Sequence, residues 1–173
     1  MENNIILLIG FGPCVKDDLF LANAVINGQE FQTMAIGMDV VKMFENRTDY
    51  IITNHPEDIP IIKSIMEKRG YNPSPIVTPT NAAGTDFILD PPYEGPSGSS
   101  AIVGSLWALQ QGFKKIILCG CPLSGNAIEG NPYEAFRPGW QYHFNKVKGR
   151  VKSMSGWTAE LLGKPTLDWV AER

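Results

Sequence analysis

Short apolar runs alternate with amphipathic stretches along most of this chain. The run from Asn4 to Ile9 carries no polar alternation, which predicts a strand covered on both faces. Runs at Phe31–Ile36, Asp49–Thr53, Pro75–Val77 and Ile116–Cys119 predict further strands, with a small one at Phe87–Leu89. Between them the period changes. Asp17 and Asp18 suit the first turn of a helix carrying Leu19, Leu21 and Ala22, and Asp39–Phe44 fits a short helix. Ile59–Arg69 places Ile61, Ile62, Ile65 and Met66 on one helical face. Ile102, Leu106 and Leu109 recur at helical spacing between Ser99/Ser100 and Gly112, residue types that start and stop helices. A short helix ending near Leu162, and another over Pro165–Glu172 with Leu167 and Val170 inward, complete the pattern. Strands alternating with helices predict an α/β fold: Rossmann-like, with a mainly parallel sheet and helices on both faces. Residues 1–173 read as one such domain, with a lid-like insertion at 122–149 and a helical tail at 150–173.

Right-handed crossovers would bring several strand tips to one edge of that sheet. These are Gly10–Cys14, Asn54 with His55, and Cys119–Pro122, with the start of the helix at Gly98-Ser99-Ser100 facing them. Gly10, Gly12 and Pro13 force a sharp turn, and strand, glycine turn and helix in succession suit phosphate or ribose at a sheet's carboxyl edge. The pattern is not the GxGxxG dinucleotide fingerprint. Ser99 and Ser100 fit both a capped core helix and an anion-binding helix start.

The aromatic, glycine-rich stretch from Pro122 to Gly149 is too long for a plain connector, which suggests a lid. Within it, His143 suits a general base, or a histidine packed among rings. Arg137 and Trp140 suit a phosphate grip with a stacked base, or a cation–π pin. His55 suits a ligand contact or a cap on the next helix. Cys14 stands at a helix start, where a thiolate is favoured, but no histidine neighbours it in sequence, so a nucleophilic role is not expected. Asp86 and Asp90 suit a metal pair or a solvated strand edge.

Composition narrows the choices. The chain has 173 residues, 43% hydrophobic and 19% charged, with a net charge of −3. No basic stripe is visible, so duplex nucleic acid is not an expected partner. No apolar run approaches the ~20 residues of a membrane span. The start Met1-Glu2-Asn3-Asn4 does not read as a signal peptide, and three cysteines make no disulfide framework, so a reducing cytoplasm is the expected compartment. No metal or cofactor is expected. Aromatic residues of the tail, read as exposed, make a homo-oligomer reasonable.

Two motifs together resemble a known group. Gly10-Phe11-Gly12-Pro13-Cys14 is similar to the GxGPS opening of bacterial CMP-sialic-acid-dependent sialyltransferases and their relatives. Those relatives include 6-hydroxymethylpterin diphosphokinase-like proteins and small phage-encoded proteins labelled norphogenetic. Ser99-Ser100-Ala101 through Phe113-Lys114-Lys115-Ile116-Ile117-Leu118-Cys119-Gly120 resembles the group's SGxxAxxxAxxxGFKxIxLxGxD segment. Val151–Thr158 looks most like the phage proteins. The likeness covers residues 4–122, and the tail more loosely. It implies a nucleotide or nucleotide-sugar ligand and glycosyl transfer without metal. On that pattern Gly10, Gly12 and Pro13 would shape the nucleotide turn, Gly98, Ser99 and Ser100 would contact ribose or phosphate, Tyr133 and Tyr142 would be lid tyrosines, and His143 would be the base. Cys14, Asn54, His55 and Arg137 join them as nucleotide contacts expected from their own positions, not from the resemblance. The alternative is a non-catalytic phage-encoded ligand-binding or assembly protein of the same fold. Three positions depart from the pattern: Cys14 replaces its serine, Cys121-Pro122 its aspartate, and Gly37 an asparagine.

Overall fold

The computed structural model describes residues 4–96, 98–124 and 133–172. Its strands are β1 (Ile5–Ile9), β2 (Gln32–Ile36), β3 (Tyr50–Ile52), β4 (Ile76–Thr78), β5 (Phe87–Ile88), β6 (Lys115–Cys119) and β7 (Val151–Ser153). Its helices are α1 (Val15–Ile26), α2 (Gly37–Met43), α3 (Ile59–Lys68), α4 (Ser100–Gln110), α5 (Arg137–Tyr142), α6 (Phe144–Val147), α7 (Gly156–Leu162) and α8 (Leu167–Ala171). The seven strands form one sheet in the order β5-β4-β3-β2-β1-β6-β7, and every pair is parallel. This is the α/β, Rossmann-like arrangement that the alternation predicts.

β1 shows why unbroken apolar runs make central strands here. Ile6 and Leu8 face α4 together with Met34, Ile52, Ile116 and Leu118. Ile5, Leu7 and Ile9 face α1, α2 and α3 together with Ala35, Ile51 and Ile117. All five β1 side chains are at most 3% exposed, and each such burial is worth about 1.5–3 kcal/mol. α4 is apolar around most of its surface because it lies between the sheet and α5–α6. At Gly104 its backbone comes so near the sheet that a Cβ would stand 3.0 Å from Met34 Sδ.

Several expectations change. Val151-Lys152-Ser153 is a strand, paired with β6 through Ile116 and Val151, so the tail is not helical throughout. Ile61 and Leu167 are 48% and 55% exposed, and Trp169 joins Val170 in facing inward. Trp169 is buried and Trp157 is half-buried, so these tail aromatics are not the exposed surface expected for self-association. β6 begins one residue early, at Lys115, which is 8% exposed. Its ammonium donates to the carbonyls of Trp169, Val170 and Glu172 at the end of α8, a lysine cap on a helix C-terminus. Burial lowers the Lys115 pKa, against the opposing pull of Glu172.

The described part of the expected lid is docked onto the body. Trp140 and Val147 are fully buried against α4, and His143 is 2% exposed. Residues 125–132 of that segment lie outside the described residues. Among the described residues, no helix is long and apolar enough to cross a membrane.

Candidate functional site

Strand order reverses at β1, with β2 on one side and β6 on the other. Ligands of open parallel sheets sit outside the carboxyl ends of the strands at such a point. After Ile9 the chain crosses the end of β6 in direct contact. Gly10 N–H donates to the Cys119 carbonyl and Gly12 N–H to the Gly120 carbonyl, both at 2.8 Å. A Cβ on Gly10 would lie 2.5 Å from the Gly120 oxygen, and one on Gly12 would lie 2.7 Å from it. Glycine is required here for close approach. These two N–H groups are already committed to β6, so the turn shapes the site instead of wrapping a phosphate with them.

A buried carboxylate fixes the other side of the crossing. Asp18, 3% exposed, accepts the Gly120 N–H and the Ser155 hydroxyl on one oxygen, each at 2.8 Å. It ties α1 to the tip of β6 and to the turn before α7. The Ser155 hydroxyl also stands 3.1 Å from Cys14 Sγ. The helix start favours a thiolate at Cys14, but its surroundings act against one. Burial raises its pKa and the Asp18 charge adds to the rise, against the Ser155 hydrogen bond. Burial also raises the Cys119 and Cys121 pKa values.

A cavity of about 310 Å³ opens over this crossing. Its base is the glycine turn with Gly120. Met38, Tyr133 and Phe136 supply apolar walls, and Asp39, Asp58, His55 and Ser99 supply polar groups. No lysine or arginine is among the described residues that line it. Ser99 is the N-cap of α4, yet its hydroxyl makes no cap hydrogen bond and is buried without a partner among the described residues. The first N–H groups of a helix also lack partners within it, and Ala101 in that first turn lines the cavity.

The expected site residues therefore separate into groups. Gly10, Gly12, His55, Ser99 and Tyr133 surround one cavity. Pro13 and Cys14 lie behind it, in the turn leading to α1. Asn54, Gly98 and Ser100 form a staple: Asn54 N–H donates to the Ser100 hydroxyl at 3.2 Å, and its side-chain amide donates to the Gly98 carbonyl at 3.4 Å. The staple fixes the start of α4 against the tip of β3. Arg137 is a pin: Nε donates to the Leu123 carbonyl at 3.0 Å, Glu134 pairs with it at 3.3 Å, and Trp157 lies 5.1 Å beneath the guanidinium. Trp157 takes the place expected for Trp140. His55 has Glu57 Oε1 3.2 Å from Nδ1, and both side chains are exposed.

Tyr142 and His143 lie elsewhere. The His143 ring sits 5.1 Å from Tyr93 and 4.9 Å from Tyr142, and it lines a separate cavity beside the last turns of α4. That cavity shares no lining residue with the first. The expected base is thus not a wall of the cavity where Ser99 meets the glycine turn. Asp86 is likewise structural, accepting the Ile76 N–H at 2.8 Å. Among the described residues no group of three His, Cys, Asp or Glu is placed to hold a metal.

The sequence reading missed Asp39 and Asp58 as site residues. Asp39 had a signal: an acidic residue just past the second strand of this fold is where a ribose hydroxyl would be met. No protein-family model and no curated protein sequence matches this chain.

Proposed function

We propose that the cavity at the β1–β6 reversal binds a nucleotide or nucleotide-sugar. The observation that carries this is the unpartnered Ser99 hydroxyl at the head of α4, opening on a cavity at the point where strand order reverses. A phosphate is stabilised by a helix N-terminus. Asp39 is placed to accept ribose hydroxyls, and Tyr133 and Phe136 offer faces for a base. Two carboxylates line the cavity, one of them, Asp39, with Lys42 3.7 Å away, and no lysine or arginine is among the described lining residues; that balance favours one phosphate over a di- or triphosphate chain. A nucleoside monophosphate, or a sugar attached to one, fits that charge. It is also the kind of donor implied by the resemblance to CMP-dependent transferases.

If transfer occurs here, the histidine for it is His55, with Glu57 orienting the ring. His55 would take the acceptor hydroxyl proton as its oxygen attacks the sugar's anomeric carbon. The bond from that carbon to the phosphate oxygen breaks, and the monophosphate leaves with the electron pair. A second reading, a non-catalytic ligand-binding or assembly protein of phage type, is favoured by the distance of His143 from this chemistry. The test is a thermal-shift panel of CMP, CDP, UMP, GMP, AMP and their sugar conjugates. A ligand at a hundred times its dissociation constant adds about 2.7 kcal/mol to the folded state. A monophosphate should raise the melting temperature, Ser99→Ala and Asp39→Asn should reduce that rise, and His55→Ala should keep it while abolishing any turnover. No rise with any nucleotide overturns the proposal. Binding without release of sugar from any conjugate leaves the second reading in place.

A further inference from the structure

The second cavity has the makings of a ligand site of its own. It encloses about 370 Å³, within the range of small-molecule pockets. Its apolar lining is Leu89, Leu106 and Leu109 beside consecutive prolines. Lys146 and Arg150 also line it, with one carboxylate, Glu94, and Arg150 donates from Nη2 to the Lys146 carbonyl at 3.2 Å. His143, 2% exposed, lines it as well. Buried polar groups in native proteins are nearly always paired; the Glu94 backbone carbonyl bears on this ring, but neither ring nitrogen meets the geometry of a hydrogen bond among the described residues, which leaves the imidazole able to engage a ligand. Burial lowers its pKa and the Lys146 charge acts in the same direction, against the opposing pull of the Glu94 backbone carbonyl. The ring is therefore neutral near pH 7, able to donate from one nitrogen and accept at the other.

We propose that this cavity is a second small-molecule site, for a compact aromatic or alicyclic body bearing one carboxylate or phosphate. The apolar lining takes the ring body. Lys146 and Arg150 take the anionic head, and His143 supplies the neutral donor. The proposal does not rest on the nucleotide reading, since the two cavities share no lining residue.

The chain's two histidines make the test direct, because His55 lines the first cavity and His143 the second. The full chain, isotope-labelled in its histidine rings, is titrated with naphthoate, naphthyl phosphate and the uncharged naphthylmethanol. The expected result is a saturable shift of the His143 resonances with one or both anions, weaker binding of the alcohol, and no movement of His55. Comparing the two anions tells which head the site takes. The double variant Lys146→Gln/Arg150→Gln should lose the preference for the anions. Leu106→Trp should fill the cavity and remove binding, with an unchanged His55 resonance showing that the fold is intact. Should Leu106→Trp prove unfolded, Gln110→Trp on the same wall replaces it. CMP should move His55 and leave His143 in place. The proposal is overturned if neither anion moves His143, if the alcohol binds as well as the anions, if only His55 responds, or if CMP displaces the anions.

Discussion

The cavity at the β1–β6 reversal and the cavity beside the end of α4 each hold one of the chain's two histidines, and they are built from different materials. The first has side-chain walls but a floor of backbone: Gly10, Gly12 and Gly120 press against one another beneath it, and the head of α4 borders it. Its histidine is exposed and paired with Glu57. The second is made of side chains from segments far apart in sequence, residues 89–94, 106–110 and 143–150. Its histidine is buried. A site made of backbone crossings tolerates little change in the residues that form it. A site made of side chains tolerates refilling. The substitutions below test whether that division holds.

The largest effect should come from Gly10→Ala. The added Cβ meets the Gly120 carbonyl at 2.5 Å and Cys121 Sγ at 2.6 Å. The carbonyl is backbone of a central strand's end and cannot swing away as a flexible side chain would. Overpacking of this kind costs about 3 kcal/mol. Urea denaturation should show a lower midpoint with an unchanged slope. A loss under about 0.5 kcal/mol, the size of an ordinary surface change, would mean that the crossing is not rigid and would remove one half of the comparison.

Next is Asp18→Ala. It leaves the Gly120 N–H without its acceptor and releases the Ser155 hydroxyl. An unsatisfied buried donor costs about 1–3 kcal/mol, and denaturation should show a loss in that range. Because Asp18 acts through Gly120, nucleotide binding should weaken as well, whereas the His143 resonance should stay where it is. A variant that unfolds more easily yet leaves the first cavity's binding intact would separate the Asp18 tie from the site.

The difference between the cavities also explains what the sequence could reveal. The apolar runs at Asn4–Ile9 and Ile116–Cys119 mark central strands because both faces of a parallel sheet are covered, and burial leaves no room for polar alternation. The glycine turn and the start of α4 are legible for a related reason: few residue types tolerate such close approach. β7 escaped because Val151-Lys152-Ser153 holds one apolar residue and borrows its order from β6. Asp18 reads in sequence as a helix-start charge, and only the fold brings Gly120 and Ser155 to it. His143 reads in sequence as a base or as a histidine packed among rings, and it lies against the Tyr93 and Tyr142 rings. Its neighbours Tyr93 and Leu106 lie 50 and 37 positions back in the chain, so no local pattern announces that it belongs to a different cavity from Ser99. Sites assembled from strand tips follow from topology, whereas sites assembled from packed side chains need coordinates.

The smallest effect expected is a pH dependence carried by His143. The groups around its ring are the Tyr93 and Tyr142 phenols, the Lys146 ammonium and the Glu94 backbone carbonyl. Burial lowers the pKa first and Lys146 lowers it further, while the Glu94 carbonyl pulls the other way. The folded pKa is thus below the unfolded value of about 6.5. Between those two values the unfolded chain binds the proton and the folded chain does not. Stability therefore rises with pH across that window, and the histidine's contribution is lost as pH falls through it. His143→Phe removes the proton site while keeping a ring against Tyr93 and Tyr142. Denaturation from about pH 7 to about pH 5 should show a shallower loss for the variant than for the unaltered chain. Parallel curves would show that the ring reaches water in the folded state, and the second cavity would then be as open as the first.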